Sequence, residues 1–395
     1  MGDVEPEIRG ACDPAFEPVR SAFRANFTDR GEVGAAVCVI HAGEVVVDLV
    51  GGWADEARTR AWTHDTLCDF YSVGKSFLAL LLLRSIDAGL VGLDDPVGSL
   101  WPEFATRGKA GATLRHVLCH QAGVPAIRER LHDDELFDWG RMTGAIAATE
   151  AWFPPGSRHA YHTNTFGHIA GELVHRVTAT RPGDALRALA EPLGAEVHFG
   201  VPASQQHRCA DVIWSPAAPI PSLDADRMAT LGGDAAMSAL AHLNPPGYSS
   251  IGLVNTPRWR ALPLGSTSGH GSARGIATIY AALAERDRLV SHDLLREATR
   301  PQSTGPCPIL RDEATFGLGF TPTTPRRPFG PNPRSFGHFG TGGALGFADP
   351  AARIGFGYVM NHVIPRWQSS RNRALVDAVY AERRGGSAPA RLSGS

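Results

Sequence analysis

Apolar positions follow two rhythms along the chain, and the rhythm changes twice. Over residues 14–29, Phe16, Val19, Phe23 and Phe27 recur at helical intervals, which predicts an amphipathic helix. Two β runs follow, 34–41 and 44–50, joined by Ala42-Gly43 and closed by Gly51-Gly52, the pattern of a hairpin. An apolar helix is predicted from Ser72 to about Ala88, ending at Gly89, a residue suited to a helix C-terminus. Helical periods then dominate to about Arg300, with segments at 114–120, 166–177, 183–193 and 275–285. Within them, 201–271 is rich in Pro, Gly and Ser and weakly periodic, and reads as long surface connections lining a cleft. Strand patterns return at 344–348 and 353–360, separated by the turn Asp349-Pro350. A last helix is predicted over 368–384, followed by a tail, 385–395, expected to be disordered.

Strands at both ends around a helical middle predict an α+β fold. The two β ends, residues 1–68 and 315–385, are expected to join in one antiparallel sheet flanked by helices. Residues 69–314 then form a mostly helical lobe, with the site in the cleft between the two.

Composition adds mainly exclusions. The 43% hydrophobic and 20% charged residues are ordinary for a soluble globular chain of this length. A formal charge of −2 supplies no basic patch for nucleic acid. The strongest apolar run, 77–83, is too short to span a bilayer, and the acidic first seven residues carry no signal-peptide core. A cytoplasmic location without a membrane partner is therefore expected, and a homo-oligomer is compatible with the sequence. The six cysteines lack a repeating spacing and read as free thiols. His116 and His120 could share a helix face as metal ligands, but the glutamate of a zinc-protease motif is missing. No metal or cofactor is expected.

The chemistry concentrates at Ser72-Val73-Gly74-Lys75, where a loop becomes the apolar helix. Residues three apart on a helix share a face, so the Lys75 amine can reach the Ser72 hydroxyl unaided. The helix start also directs free N–H groups toward whatever the serine attacks. Of 38 Lys and Arg residues only Lys75 and Lys109 are lysine. A buried lysine can become a base, whereas arginine keeps its proton, so the choice of lysine here fits general-base chemistry. A solvated lysine behind a capping serine is the plain structural alternative. Two later stretches could complete a site: 154–163, containing Tyr161, and 337–343, a Gly-rich strand edge. Taken singly they also read as a capping aromatic and a hairpin turn.

Together the three stretches resemble, in order and spacing, the serine β-lactamase and penicillin-binding-protein superfamily, most closely the class C β-lactamase-like family VIII carboxylesterases. Ser72-Val73-Gly74-Lys75 matches the Ser-x-x-Lys motif. Residues 155–161 match the approach to the Tyr-x-Asn motif, and His338-Phe339-Gly340 stands where the family has Lys/His-Thr-Gly. The resemblance implies a β-lactamase/DD-peptidase-like fold with Ser72 as nucleophile, Lys75 as its base and Tyr161 as proton shuttle. It also implies an oxyanion hole from the N–H groups of Ser72 and Thr341, with Thr163, His338, Phe339 and Gly340 against the substrate. Two departures bear on specificity. The second motif reads Tyr161-His162-Thr163, with Asn164 one place late, and the third has Phe339 in place of a hydroxyl residue. Both disfavour β-lactams and D-alanyl peptides and favour a neutral, apolar ester. No Gly-x-Ser-x-Gly elbow is present. The resulting expectation is a serine hydrolase acting on a small-molecule ester through an acyl-enzyme. The competing readings are a transacylase serving an amine or alcohol acceptor, a weak β-lactamase or D-peptidase, and a non-catalytic acyl sensor or scaffold.

Overall fold

A computed structural model describes residues 7–215, 230–364 and 369–381. Seven strands form one antiparallel sheet: β1 (Ile8–Cys12), β2 (Gly34–His41), β3 (Glu44–Gly52), β4 (Thr321–Pro322), β5 (Phe336–Phe339), β6 (Leu345–Asp349) and β7 (Ile354–Met360). Their spatial order is β1-β3-β2-β7-β6-β5-β4, so the two ends of the chain meet in mid-sheet. There Val37 pairs with Tyr358 and Val39 with Phe356. The five helices that frame the site are α1 (Glu17–Asp29), α2 (Gly74–Asp87), α3 (Thr165–Thr178), α4 (Ala273–Ala284) and α5 (Ser370–Val379).

Period-two alternation in β6 and β7 sorts ring from glycine. Phe347 and Phe356 stack on one face with centroids 4.8 Å apart. Gly346, Gly355 and Gly357 occupy the other face, beneath α4. A Cβ on Gly357 would stand 2.1 Å from the Ala273 carbonyl oxygen, so these glycines set how closely α4 approaches the sheet. Gly357→Ala should therefore displace the helix and cost ~1–3 kcal/mol, the usual range for overpacking. A wild-type melting temperature in that variant would refute the close-approach argument. The helix α2 is apolar on all sides and buried from Phe77 to Leu83, as an interior helix must be, and it packs on α3.

The stretch 201–271 differs from expectation. Its described part contains helices at Gly233–Leu243 and Pro257–Ala261 and single turns at Ala203–Arg208 and Pro246–Ser249. The prolines that read as breakers sit in first turns, where a missing N–H has no partner to lose. A two-stranded hairpin, Ser303–Cys307 with Asp312–Phe316, follows the helical periods and straddles the boundary expected between the two lobes at 314/315. Its alternation is interrupted by Gly305 and Pro306 in the first strand. The edge strand β1, mostly exposed, was not signalled either. The last helix is shorter than predicted at its described end, closing at Val379, and Ser369 caps it by accepting from the Asn372 N–H. Gln368 and the predicted tail lie outside the described residues. Among the described residues no helix is long and apolar enough to cross a membrane.

Candidate active site

The turn that carries Ser72 is built from behind by a carboxyl group. Asp69 lies on a short strand, Cys68–Asp69, paired to His270–Gly271. Its Oδ1 accepts from the Tyr71 N–H at 2.8 Å, and its Oδ2 accepts from Trp259 Nε1 at 3.1 Å. Burial raises the Asp69 pKa well above the usual carboxyl range. Tyr71 sits at φ +49°, a left-handed conformation costly for a non-glycine residue, and the Asp69 bond to its N–H helps hold it there. The turn Tyr71–Val73 then runs directly into α2.

One helical turn on, Lys75 is fully buried. Its Nζ lies 2.9 Å from Ser72 Oγ and donates to the carbonyls of Thr163 at 2.7 Å and Ser266 at 3.0 Å. Burial holds its pKa well below the ordinary lysine value. A neutral amine has two hydrogens and one lone pair. In that form the carbonyls of Thr163 and Ser266 can take both hydrogens and the lone pair can face Ser72 Oγ. The geometry thus sets a lysine whose charged form is disfavoured by burial against the serine hydroxyl.

Tyr161 completes the group. Lys75 Nζ lies 4.8 Å from its ring centroid. The ring is stacked on Phe316 at 5.7 Å and leans on His120 at 4.7 Å, and its N–H donates to Cys307 Sγ at 3.3 Å. Burial raises the phenol pKa above its usual value, and a hydrogen bond with Ser72 acts in the opposite direction. The phenol is therefore neutral across the physiological range, able to accept and pass on a proton.

The remaining sequence candidates divide. Thr163 supplies the carbonyl that orients Lys75, and its Oγ1 is buried without a partner among the described residues. Asn164, one place late for the motif, is engaged elsewhere. It donates to the Ala241 carbonyl at 2.8 Å and to Ser249 Oγ at 2.9 Å, and accepts from Thr267 Oγ1. His338 faces the Tyr161 ring at 6.4 Å, and its Nδ1 donates to the Phe339 carbonyl at 2.7 Å. Burial, followed by the nearby Lys75, lowers its pKa to about 3, so it is a neutral ring. Gly340 brings β5 against the turn that carries Ser72: a Cβ there would lie 2.4 Å from the Phe70 carbonyl oxygen. Thr341 opens the one-turn segment Thr341–Gly343 that follows.

Phe339 requires a correction. Its ring is 2% exposed and stacked on Phe329 at 4.8 Å, inside the core. Strand alternation that turns His338 toward Tyr161 turns Phe339 away, so its ring is not a substrate wall. What the position contributes is the lack of a hydroxyl.

Sequence reading missed Ser266, whose carbonyl is 191 residues from the lysine it orients. It also missed Asp69 and the aromatic packing of Phe316. Nor do His116 and His120 act as a pair. His116 Nδ1 accepts from the Thr113 N–H in a helix cap, while His120 Nδ1 accepts from the His162 N–H at 3.1 Å.

Comparison with known proteins places this arrangement. The model of the Beta-lactamase family matches residues 19–381. The chain belongs to that family. Among its relatives is the esterase/beta-lactamase LipL of Mycobacterium tuberculosis (strain ATCC 25618 / H37Rv), 32% identical over 381 residues, covering 92% of this chain and 85% of LipL. A solved family VIII carboxylesterase superposes with a TM-score of 0.86 at 36% identity, over 95% of this chain and 99% of that one. A penicillin-binding protein homolog from Caulobacter crescentus superposes equally well, TM-score 0.86 at 34% identity, over 95% and 99% of the two chains. The antiparallel sheet with flanking helices is the fold of this family, and the chain is a β-lactamase-fold serine hydrolase.

Proposed function

We propose that the protein hydrolyses small to medium, uncharged carboxylic esters through an acyl-enzyme on Ser72. The observation that carries this reading is the buried Lys75 amine, 2.9 Å from Ser72 Oγ and held by the carbonyls of Thr163 and Ser266. Lys75 takes the hydroxyl proton as Oγ attacks the ester carbonyl. The N–H groups of Ser72 and Thr341 receive the oxyanion. Tyr161 delivers the proton to the departing alcohol, and the same relay run backward lets water release the acid.

Charge supports the choice of a neutral substrate. Burial disfavours the charged form of Lys75, and it lowers the His338 pKa to about 3, so His338 offers no cation to a carboxylate at neutral pH. Phe339 has no hydroxyl to meet one, and its ring is buried in the core. The name of the family VIII carboxylesterase supports an ester substrate, whereas that of LipL carries both esterase and β-lactamase.

A direct comparison tests the proposal: p-nitrophenyl esters of two- to eight-carbon acids against a chromogenic cephalosporin, with intact-mass detection of the enzyme. The expected result is rapid ester turnover, slow cephalosporin turnover, and an acyl or fluorophosphonate adduct on Ser72. Turnover of the cephalosporin at the ester's rate would overturn the substrate assignment, and a protein inert to both ester and fluorophosphonate would overturn the acyl-enzyme. Adding primary amines and alcohols to the same assay separates hydrolysis from acyl transfer by the product formed.

A further inference from the structure

The glycine-rich turn after β5 is gripped by a helix 29 residues further along, itself anchored to the N-terminal part of the chain. Arg371 and Asn372, both buried, stand in the first turn of α5. Arg371 Nη2 donates to the carbonyls of Gly342 and His362, each at 2.9 Å. Asn372 Nδ2 donates to the Gly343 carbonyl at 3.0 Å. Arg371 Nη1 meets Glu32 Oε1 at 2.6 Å, with side chains 1% and 0% exposed. The other Glu32 oxygen accepts from the Tyr358 hydroxyl, and Asn26 Nδ2 donates to the Arg371 carbonyl.

An ion pair this deep is a poor source of stability, because stripping water from both charges offsets most of their attraction. What it holds is more informative. Gly342 and Gly343 sit at φ +82° and +118°, conformations open to glycine, and a Cβ on Gly342 would lie 2.8 Å from the Met360 side chain. The turn is therefore wedged as well as bonded. Within it, the Gly343 N–H donates to the Gly340 carbonyl at 3.2 Å. The carbonyl and the N–H of one trans peptide point in opposite directions. With the Gly340 carbonyl drawn into the turn, the N–H of the same peptide, that of Thr341, is aimed out of it.

We propose that the buried Glu32–Arg371 pair, together with Asn372, is the positioning device of the oxyanion site: it locks the 340–343 turn so that the Thr341 N–H stays fixed on the reacting carbonyl oxygen. The role rests on the acyl-enzyme reading above. Neither Arg371 nor Glu32 touches substrate. Both act through the peptide they hold.

The test compares an aryl ester with its thionoester, whose sulfur is larger and a weaker hydrogen-bond acceptor. A well-aimed oxyanion donor favours the oxygen compound, so the oxo/thiono ratio of kcat/KM reports alignment in a way that loss of stability does not. Two variants are used. Asn372→Ala removes one neutral bond, and the double variant Glu32→Gln/Arg371→Met removes both charges so that neither is left buried alone. Loss of an entire oxyanion donor lowers kcat by roughly 10²–10³-fold, so a misaimed one should lower it by about 10- to 100-fold. The expected result is that loss in kcat for the oxo-ester, with KM little changed and the oxo/thiono ratio falling in step. Folded variants with the wild-type ratio overturn the positioning role. If the double variant does not fold, Asn372→Ala decides alone. A wild type inactive on both esters overturns the acyl-enzyme reading itself, and this role with it.

Discussion

Ser72→Ala is expected to abolish ester turnover, lowering kcat by roughly 10⁶-fold, the scale seen when a serine nucleophile is deleted. Only the hydroxyl oxygen is lost. The Ser72 side chain is nearly buried, and its hydroxyl contacts Lys75, Tyr161 and, at 3.4 Å, the Ser266 carbonyl. None of these holds the turn in place, since Asp69 fixes the backbone through Tyr71. The variant should therefore melt within a few degrees of wild type and take up no fluorophosphonate. Full labelling at another serine would end the assignment.

Lys75→Ala is expected to lower kcat/KM by about 10³–10⁴-fold, the upper part of the range for a general base. The nearby imidazoles are poor substitutes. His338 has a pKa near 3, and His162 is likewise held to about 3, with Nδ1 donating to the Ala160 carbonyl and Nε2 accepting from the Val124 N–H. Rings that weakly basic extract little proton from a serine. Lys75→Arg should be as inactive as Lys75→Ala, because a guanidinium keeps its proton. The pH profile gives an independent check. Burial lowers the Lys75 pKa, so the free amine, the active form, persists far below the normal lysine range. Activity should fall as the solution is acidified through that lowered value and stay level through mildly alkaline pH. The limb should vanish in Lys75→Ala. A profile that begins to rise only near pH 10, or near-normal activity of Lys75→Ala at neutral pH, would assign the base to another group.

The parts of the molecule governed by short-range pattern were legible in the chain. The β2–β3 hairpin, α2 and α3 announce themselves by alternation or helical period, and Ser72 and Lys75 are linked by a single helical turn. Tyr161 and the 337–343 strand edge stood out as candidates, but only the resemblance gave them roles, since nothing local distinguishes a proton-passing tyrosine from a packing one. What stayed hidden depends on long-range contact. The carbonyl of Ser266 carries no side-chain signature, Asp69 becomes a brace only once Trp259 arrives, and the facing of Phe339 follows from which neighbour strand fixes its register. The hairpin at 303–316 failed for a different reason, because Gly305 and Pro306 break its alternation without breaking its pairing.

The sheet order has a consequence for biosynthesis. Because β7 fills the centre, between β2 and β6, a growing polypeptide leaves the ribosome with β2 exposing an open edge until nearly all of the chain has emerged. Pairings this distant in sequence form slowly, and unpaired edges attract one another. The nascent enzyme should therefore be inert while tethered and lean on chaperones that shield strand edges, and shortening it from the C-terminal side through residue 354 should yield aggregates rather than a smaller hydrolase.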